Sequence, residues 1–199
     1  MAPSFSISFD YRCPFARIAH RHVLDALADG ADWDVEFRAF SMGQVHVEHD
    51  ETPLWERPED DTGLLALQVG VAVRDTHPER FLTVHRALFE ARHAEGARLR
   101  DESVLRWLLS ECAVDPDAVF DEVATGRPLD TVRREHTQSV DDHDAWGVPT
   151  FVVGDRAAFV RLTELPRSAD DARRTVERVL DMLAGWPELN EFKHTTIDR

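Results

Sequence analysis

Strand texture marks both ends of this chain and is almost missing from its long middle. Ser4 to Phe9 reads S-F-S-I-S-F, a strict alternation that puts Phe5, Ile7 and Phe9 on one face. Trp33 to Phe40 alternates again, with Trp33, Val35, Phe37 and Ala39 together. From Thr62 to Asp144 the patterns are helical. Strand texture returns at Val148 to Val153. Gly154-Asp155 and a second apolar run, Ala157 to Leu162, then predict a hairpin. The expected order is β-α-β, five helices, β-β-α. It is a mixed sheet whose two halves are separated by an all-helical insertion, and few layouts satisfy that order.

The helices have readable boundaries. Phe15 to Ala28 carries an apolar stripe of Phe15, Ile18, Ala19, Val23, Leu24 and Leu27, with Pro14 at its start and Gly30 as a stop. The flanking strands make it a βαβ unit if they are parallel. Gln44 to Asp61 reads as a loop. In the insertion, Leu64 to Val71, Phe81 to Phe89 after Pro78, and Val104 to Leu109 form the first three helices. Asp115-Pro116 caps and opens the fourth, with Val119, Phe120 and Val123. A polar fifth runs from about Leu129 to Asp144. A last helix, Ala169 to Ala184, ends at Gly185-Trp186-Pro187.

With 199 residues, 43% apolar and 31% charged, the chain can bury one sizeable core. Eleven Phe and five Trp argue against disorder. A net charge of -15 argues against a binder of nucleic-acid backbones and against an anionic membrane surface. No apolar run reaches the roughly 18–20 residues of a spanning helix. Met1-Ala2-Pro3-Ser4 shows no basic signal-peptide region, so a cytoplasmic location is expected. Two cysteines, Cys13 and Cys112, make no disulfide framework.

Cys13 carries the chemistry. It follows a strand and immediately precedes a helix, where unpaired N–H groups and the helix dipole favour an anion. Such a thiol is expected to fall from about 8.5 to between about 3.5 and 7.5. Arg12 adds a neighbouring positive charge. The competing reading is a small buried hydrophobe. The second element is Gly147-Val148-Pro149-Thr150-Phe151, with a proline at the head of an apolar strand.

Cys13-Pro14-Phe15-Ala16 and Gly147 to Phe151, set in this element order, resemble the DsbA-like branch of the thioredoxin superfamily. The resemblance implies an α/β, thioredoxin-like fold with an inserted all-helical domain. A discontinuous thioredoxin-like domain would span 1–60 and 146–185, a helical insertion 61–145 and a tail 186–199. It also implies Cys13 as nucleophile, Pro149 as a cis-proline and Val148 as a backbone contact for the bound partner. Ala16 stands where the family has its second cysteine, so no internal disulfide can form there. Cys112 sits in the insertion and reads as a packed helix residue beside Leu108 and Leu109.

The leading expectation is therefore a single-thiol oxidoreductase. Its mixed disulfide at Cys13 would be resolved by a small thiol such as glutathione or mycothiol, with no tightly bound cofactor. Kappa-class glutathione transferases and 2-hydroxychromene-2-carboxylate isomerases share the layout and usually carry serine at the Cys13 position. A small-thiol-dependent transferase or isomerase is thus the alternative, and a non-catalytic binding protein a further one. Trp146 and Phe15, with Trp55, are candidates to line a cleft beside the thiol. Arg17, one turn from Cys13, is a candidate to hold an anionic cofactor. His20 lies about 10 Å along the helix from Cys13, too far for a direct base, and His22 reads as packed or solvated. His46-Val47-Glu48-His49-Asp50 has metal-like spacing but reads as a solvated loop, and no metal is expected. Leu189 and Phe192 suggest a tail that docks, and a homodimer is one way to cover it.

Overall fold

The computed structural model describes residues 2–48 and 50–194. Strand β1 (Ser4–Phe9) runs parallel to β2 (Asp34–Ala39), in register from Ser4 opposite Asp34 to Phe9 opposite Ala39. Helix α1 (Pro14–Ala28) connects them, so the expected βαβ unit forms. Strand β3 (Thr150–Val153) is antiparallel to β1, and β4 (Arg156–Phe159) is antiparallel to β3. The sheet order β2-β1-β3-β4 makes β1 an inner strand. That explains why Ile7 and Phe9 are completely buried. Gly154 opens the hairpin turn at φ +61°, a conformation that side chains disfavour.

Between β2 and β3 come α2 (Leu64–Thr76), α3 (Pro78–His93), α4 (Glu102–Glu111), α5 (Pro116–Ala124) and α6 (Arg127–His143). The last begins two residues earlier than the sequence pattern suggested. Pro128 belongs to its first turn, where its missing N–H costs nothing. The segment 44–61, read as a loop, contains three short 3-10 turns at Gln44–His46, Leu54–Glu56 and Pro58–Asp60. The hairpin strands are shorter than their apolar runs.

The insertion is fastened to the outer strand of the sheet by ionic hydrogen bonds. Ala39 N–H donates to Glu135 Oε2 at 2.7 Å, and Arg74 Nη1 donates to the Phe37 carbonyl at 2.6 Å. Arg74 also pairs with Glu135 at 2.7 Å. These contacts satisfy backbone groups that an edge strand would otherwise leave open. One hydrophobic cluster then runs from Phe5, Ile7 and Phe151 in the sheet to Leu67, Val84 and Leu105 in the helices.

Helix α7 (Ala169–Gly185) is capped by Ser168 Oγ, which accepts from Asp171 N–H at 3.1 Å, and packs on α1. Beyond it Trp186 and Phe192 are exposed and Leu189 is half-buried, so neither of those two rings docks on the described part of the chain. Residues 195–199 lie outside the described residues. Among the described residues no helix is long and apolar enough to cross a membrane.

Candidate active site

The turn from β1 into α1 is tied from both sides. Asp10, completely buried, accepts from the N–H groups of Arg12 and Met42, each at 2.9 Å. It also pairs with the Arg12 guanidinium at 2.8 Å. Arg12 reaches on to Asp61 at 2.9 Å, and Asp61 accepts from Gly63 and Leu64 N–H at the start of α2. One arginine thus joins the end of the central strand to the first insertion helix. Its charge is spent on two carboxylates and is not available to Cys13 as the sequence reading allowed.

Cys13 is the N-cap of α1. Its Sγ accepts from Ala16 N–H at 3.4 Å, and Pro14 fills the next position. The same sulfur donates to the Val148 carbonyl at 3.2 Å. The Val148–Pro149 peptide bond is cis. Its loop is held by Thr150 N–H donating to Ser8 Oγ at 2.9 Å and by Thr150 Oγ1 donating to the Gly147 carbonyl at 2.8 Å. Val160 N–H donates to the Pro149 carbonyl at 3.0 Å. Cys13 and Val148, 135 residues apart, therefore meet directly.

The expected direction of the Cys13 shift is overturned. Burial pushes the thiol above its ordinary value, and the N–H groups of Ala16 and Phe15 only partly counter it. The negative Asp10 pushes the same way as burial. The helix start does favour the thiolate, as the sequence argued. Removal from water against Val148 outweighs it, and the hydrogen bond to the Val148 carbonyl requires the proton.

Arg17 already has a partner within the protein. It pairs with Glu90 of α3 at 2.6 Å, and Arg21 joins the same carboxylate at 3.1 Å. Partial burial alone would raise Glu90, but the two guanidiniums hold it below the ordinary carboxylate range. One carboxylate thus serves two guanidiniums and ties Arg17 to α3. Phe15 is half-buried beneath the guanidinium of Arg161, 4.8 Å from the ring centre. Trp146 is 63% exposed and leans on Phe159, with ring centres 4.4 Å apart. It stands at the rim of the proline loop. Trp55 instead lies against the core, edge-on to His136 at 5.3 Å.

Behind the site lies a buried polar chain that the sequence reading missed. His20 Nε2 meets the Ser8 carbonyl at 3.1 Å, so that nitrogen carries the proton. His20 Nδ1 must then accept from His85 Nε2 at 2.9 Å, and His85 Nδ1 from the Tyr11 hydroxyl at 2.8 Å. Every group in the chain is satisfied with both imidazoles neutral. Burial lowers His20 to about 4 and holds His85 well below its ordinary value. The available signal was a histidine within each of two apolar helical stripes. Burial likewise lowers His136 to about 4, partly opposed by Asp10. His22 is buried too and meets the Glu164 carbonyl at 3.1 Å.

Cys112 caps the C-terminal end of α4 and is buried, and both cysteines are free thiols. His46 lies in a 3-10 turn, while His49 falls outside the described residues. Among the described residues no three potential metal ligands cluster.

The family model for a DSBA-like thioredoxin domain matches residues 5–167. No curated protein matches the chain. Among solved structures, a thioredoxin-like oxidoreductase from Silicibacter pomeroyi is similar at 15% identity and TM-score 0.60, covering 88% of this chain and 85% of that one. DsbA from Xylella fastidiosa is similar at 16% identity and TM-score 0.60, with coverages of 89% and 84%. A 2-hydroxychromene-2-carboxylate isomerase reaches TM-score 0.63 at 13% identity, with coverages of 90% and 97%. At these identities the likeness is one of fold.

Proposed function

The chain belongs to the DSBA-like thioredoxin domain family, and on that premise we propose that it catalyses thiol–disulfide exchange through Cys13 alone. The observation that carries this reading is the Cys13 sulfur at the cap of α1, 3.2 Å from the Val148 carbonyl beside Pro149. In the first step the Cys13 thiolate attacks one sulfur of a disulfide R–S–S–R′. A Cys13–S–S–R bond forms, and R′–S⁻ leaves and takes a proton from water. A small thiolate then attacks the R sulfur, forming a new disulfide with R and returning the electron pair to Cys13. Electrons are exchanged between sulfurs with no external oxidant. Ala16 forbids the internal route, so the resolving thiol must come from solution. Glutathione and mycothiol are the candidates, and a reducing cytoplasm supplies them.

The test is mass spectrometry after incubation with glutathione disulfide, from pH 7 to pH 10. A glutathionyl adduct on Cys13 is expected, forming faster as pH rises, removable by reduced thiol, and absent in Cys13→Ser. No adduct on the folded chain at pH 10, with ready reaction after unfolding, refutes the reading.

A second reading draws on the same raised thiol. A Cys13 that keeps its proton is a hydrogen-bond donor, as a serine hydroxyl would be. It would steady a bound small thiolate in a transferase or isomerase. Cys13→Ser separates the two. It abolishes exchange, but preserves binding and turnover if Cys13 acts only as a donor.

A further inference from the structure

The site holds one cation with no carboxylate on it among the described residues. Arg12 is taken by Asp10 and Asp61, and Arg17 by Glu90. Arg161 is exposed, forms no ion pair or side-chain hydrogen bond among the described residues, and holds its guanidinium carbon over the Phe15 ring, 4.8 Å from the ring centre. Its position is fixed from both walls of the site. Phe15 is in the first turn of α1, two residues after Cys13. Val160, immediately before Arg161, is hydrogen-bonded to the Pro149 carbonyl at 3.0 Å.

We propose that Arg161, held over Phe15, anchors a carboxylate of the small thiol, so that the site selects carboxylate-bearing thiols of the glutathione type over uncharged ones such as mycothiol. The proposal rests on the reading that a small thiol occupies the site beside Cys13. A cation over a ring is held by its charge, and with no side-chain acceptor among the described residues its N–H groups are available for a two-point bond to a carboxylate. The ring also restricts the side chain before binding, which lowers the ordering cost. The need for a local cation is plain from the charge of -15, which repels small anions from the molecule as a whole.

S-Methylglutathione tests this without exchange chemistry, because its sulfur is blocked. Calorimetric titration of the full chain compares it with its dimethyl ester. The native chain is expected to favour the diacid by about fivefold, the upper range for an exposed ion pair. Arg161→Gln is expected to lose that preference, and Arg161→Lys to recover only part of it. Absence of diacid binding, absence of a preference in the native chain, or a preference that survives in Arg161→Gln overturns the proposal. Reaction of Cys13 with neutral 4,4′-dithiodipyridine is read separately. Reaction without diacid binding sinks the carboxylate anchor alone. A diacid preference that Arg161→Gln abolishes, in a chain whose Cys13 never reacts, sustains the anchor and sinks the exchange reading.

Discussion

Lowering the pH from 8 to 5 should unfasten this fold through its buried histidines before the carboxylates titrate. His20 is held neutral at about 4, against roughly 6.5 in an unfolded chain. A lowered histidine favours the unfolded state wherever that state binds more protons. Its contribution to stability is whole above pH 6.5 and is lost as pH falls toward 4. At pH 5 the loss is about 2 kcal/mol for one such group. His136, also at about 4, loses about the same. His85 is hydrogen-bonded to His20 and shifted in the same direction, so that pair is counted once. The expected drop is about 4 kcal/mol, a large share of a typical folding free energy.

Urea unfolding followed by tryptophan fluorescence, at pH 8, 6.5, 5.5 and 5 and fixed ionic strength, measures it. His136→Phe should remove about half the drop. Its ring lies 4.3 Å from Phe40 and 5.3 Å from Trp55, centre to centre, an aromatic setting that phenyl can fill. Superimposable curves from pH 8 to 5 would refute the reasoning. So would a loss that begins only below pH 4.5, where carboxylates account for it.

Four other substitutions have stated outcomes. Arg12→Ala strands the buried Asp10 carboxylate and frees Asp61. It should cost about 3 kcal/mol or more in urea unfolding at pH 8, and a loss under 1 kcal/mol would show that the clamp is ornamental. Tyr11→Phe leaves His85 Nδ1 without its donor and should cost about 1–3 kcal/mol. Gly70→Ala should shift the same ring, since a Cβ there would come within 2.3 Å of the Tyr11 hydroxyl, again at about 1–3 kcal/mol. Ala16→Cys puts a second thiol at the residue whose N–H already reaches Cys13 Sγ. Mild oxidation should then make Cys13 resistant to alkylation with a loss of two hydrogens, and an unchanged alkylation pattern would count against the register of the cap.

Local grammar carried most of the fold. Alternation in β1, Pro14 at the head of α1 and Gly154-Asp155 in the hairpin each describe a neighbourhood of a few residues, and each element formed where the pattern lay. The family membership was likewise legible in Cys13-Pro14 and Val148-Pro149. What escaped was set by contacts between distant segments. Spacing says nothing of Arg17 meeting Glu90 across 73 residues, or of Tyr11 meeting His85 across 74. Arg161 gave no sequence signal at all, because its meaning depends on the ring it covers. The sign of the Cys13 shift failed for the same reason. A helix start is visible in sequence, whereas the depth of the thiol against Val148 is a property of packing.

That reversal shapes the chemistry on the exchange reading. A thiol above its ordinary value is mostly protonated at neutral pH, so its attack is slow there. It is also the poorer leaving group once it is in a mixed disulfide. Attack of a solution thiol on the R sulfur, which completes the proposed cycle, is slowed by that leaving group, and attack on the Cys13 sulfur competes with it by swapping R for the new thiol. An internal cysteine at position 16 would bypass this by proximity, and Ala16 withholds it. On the exchange reading, turnover at neutral pH is therefore slow and the mixed disulfide at Cys13 long-lived. Selection among small thiols at its mouth, where Arg161 sits, would then decide which adduct it carries.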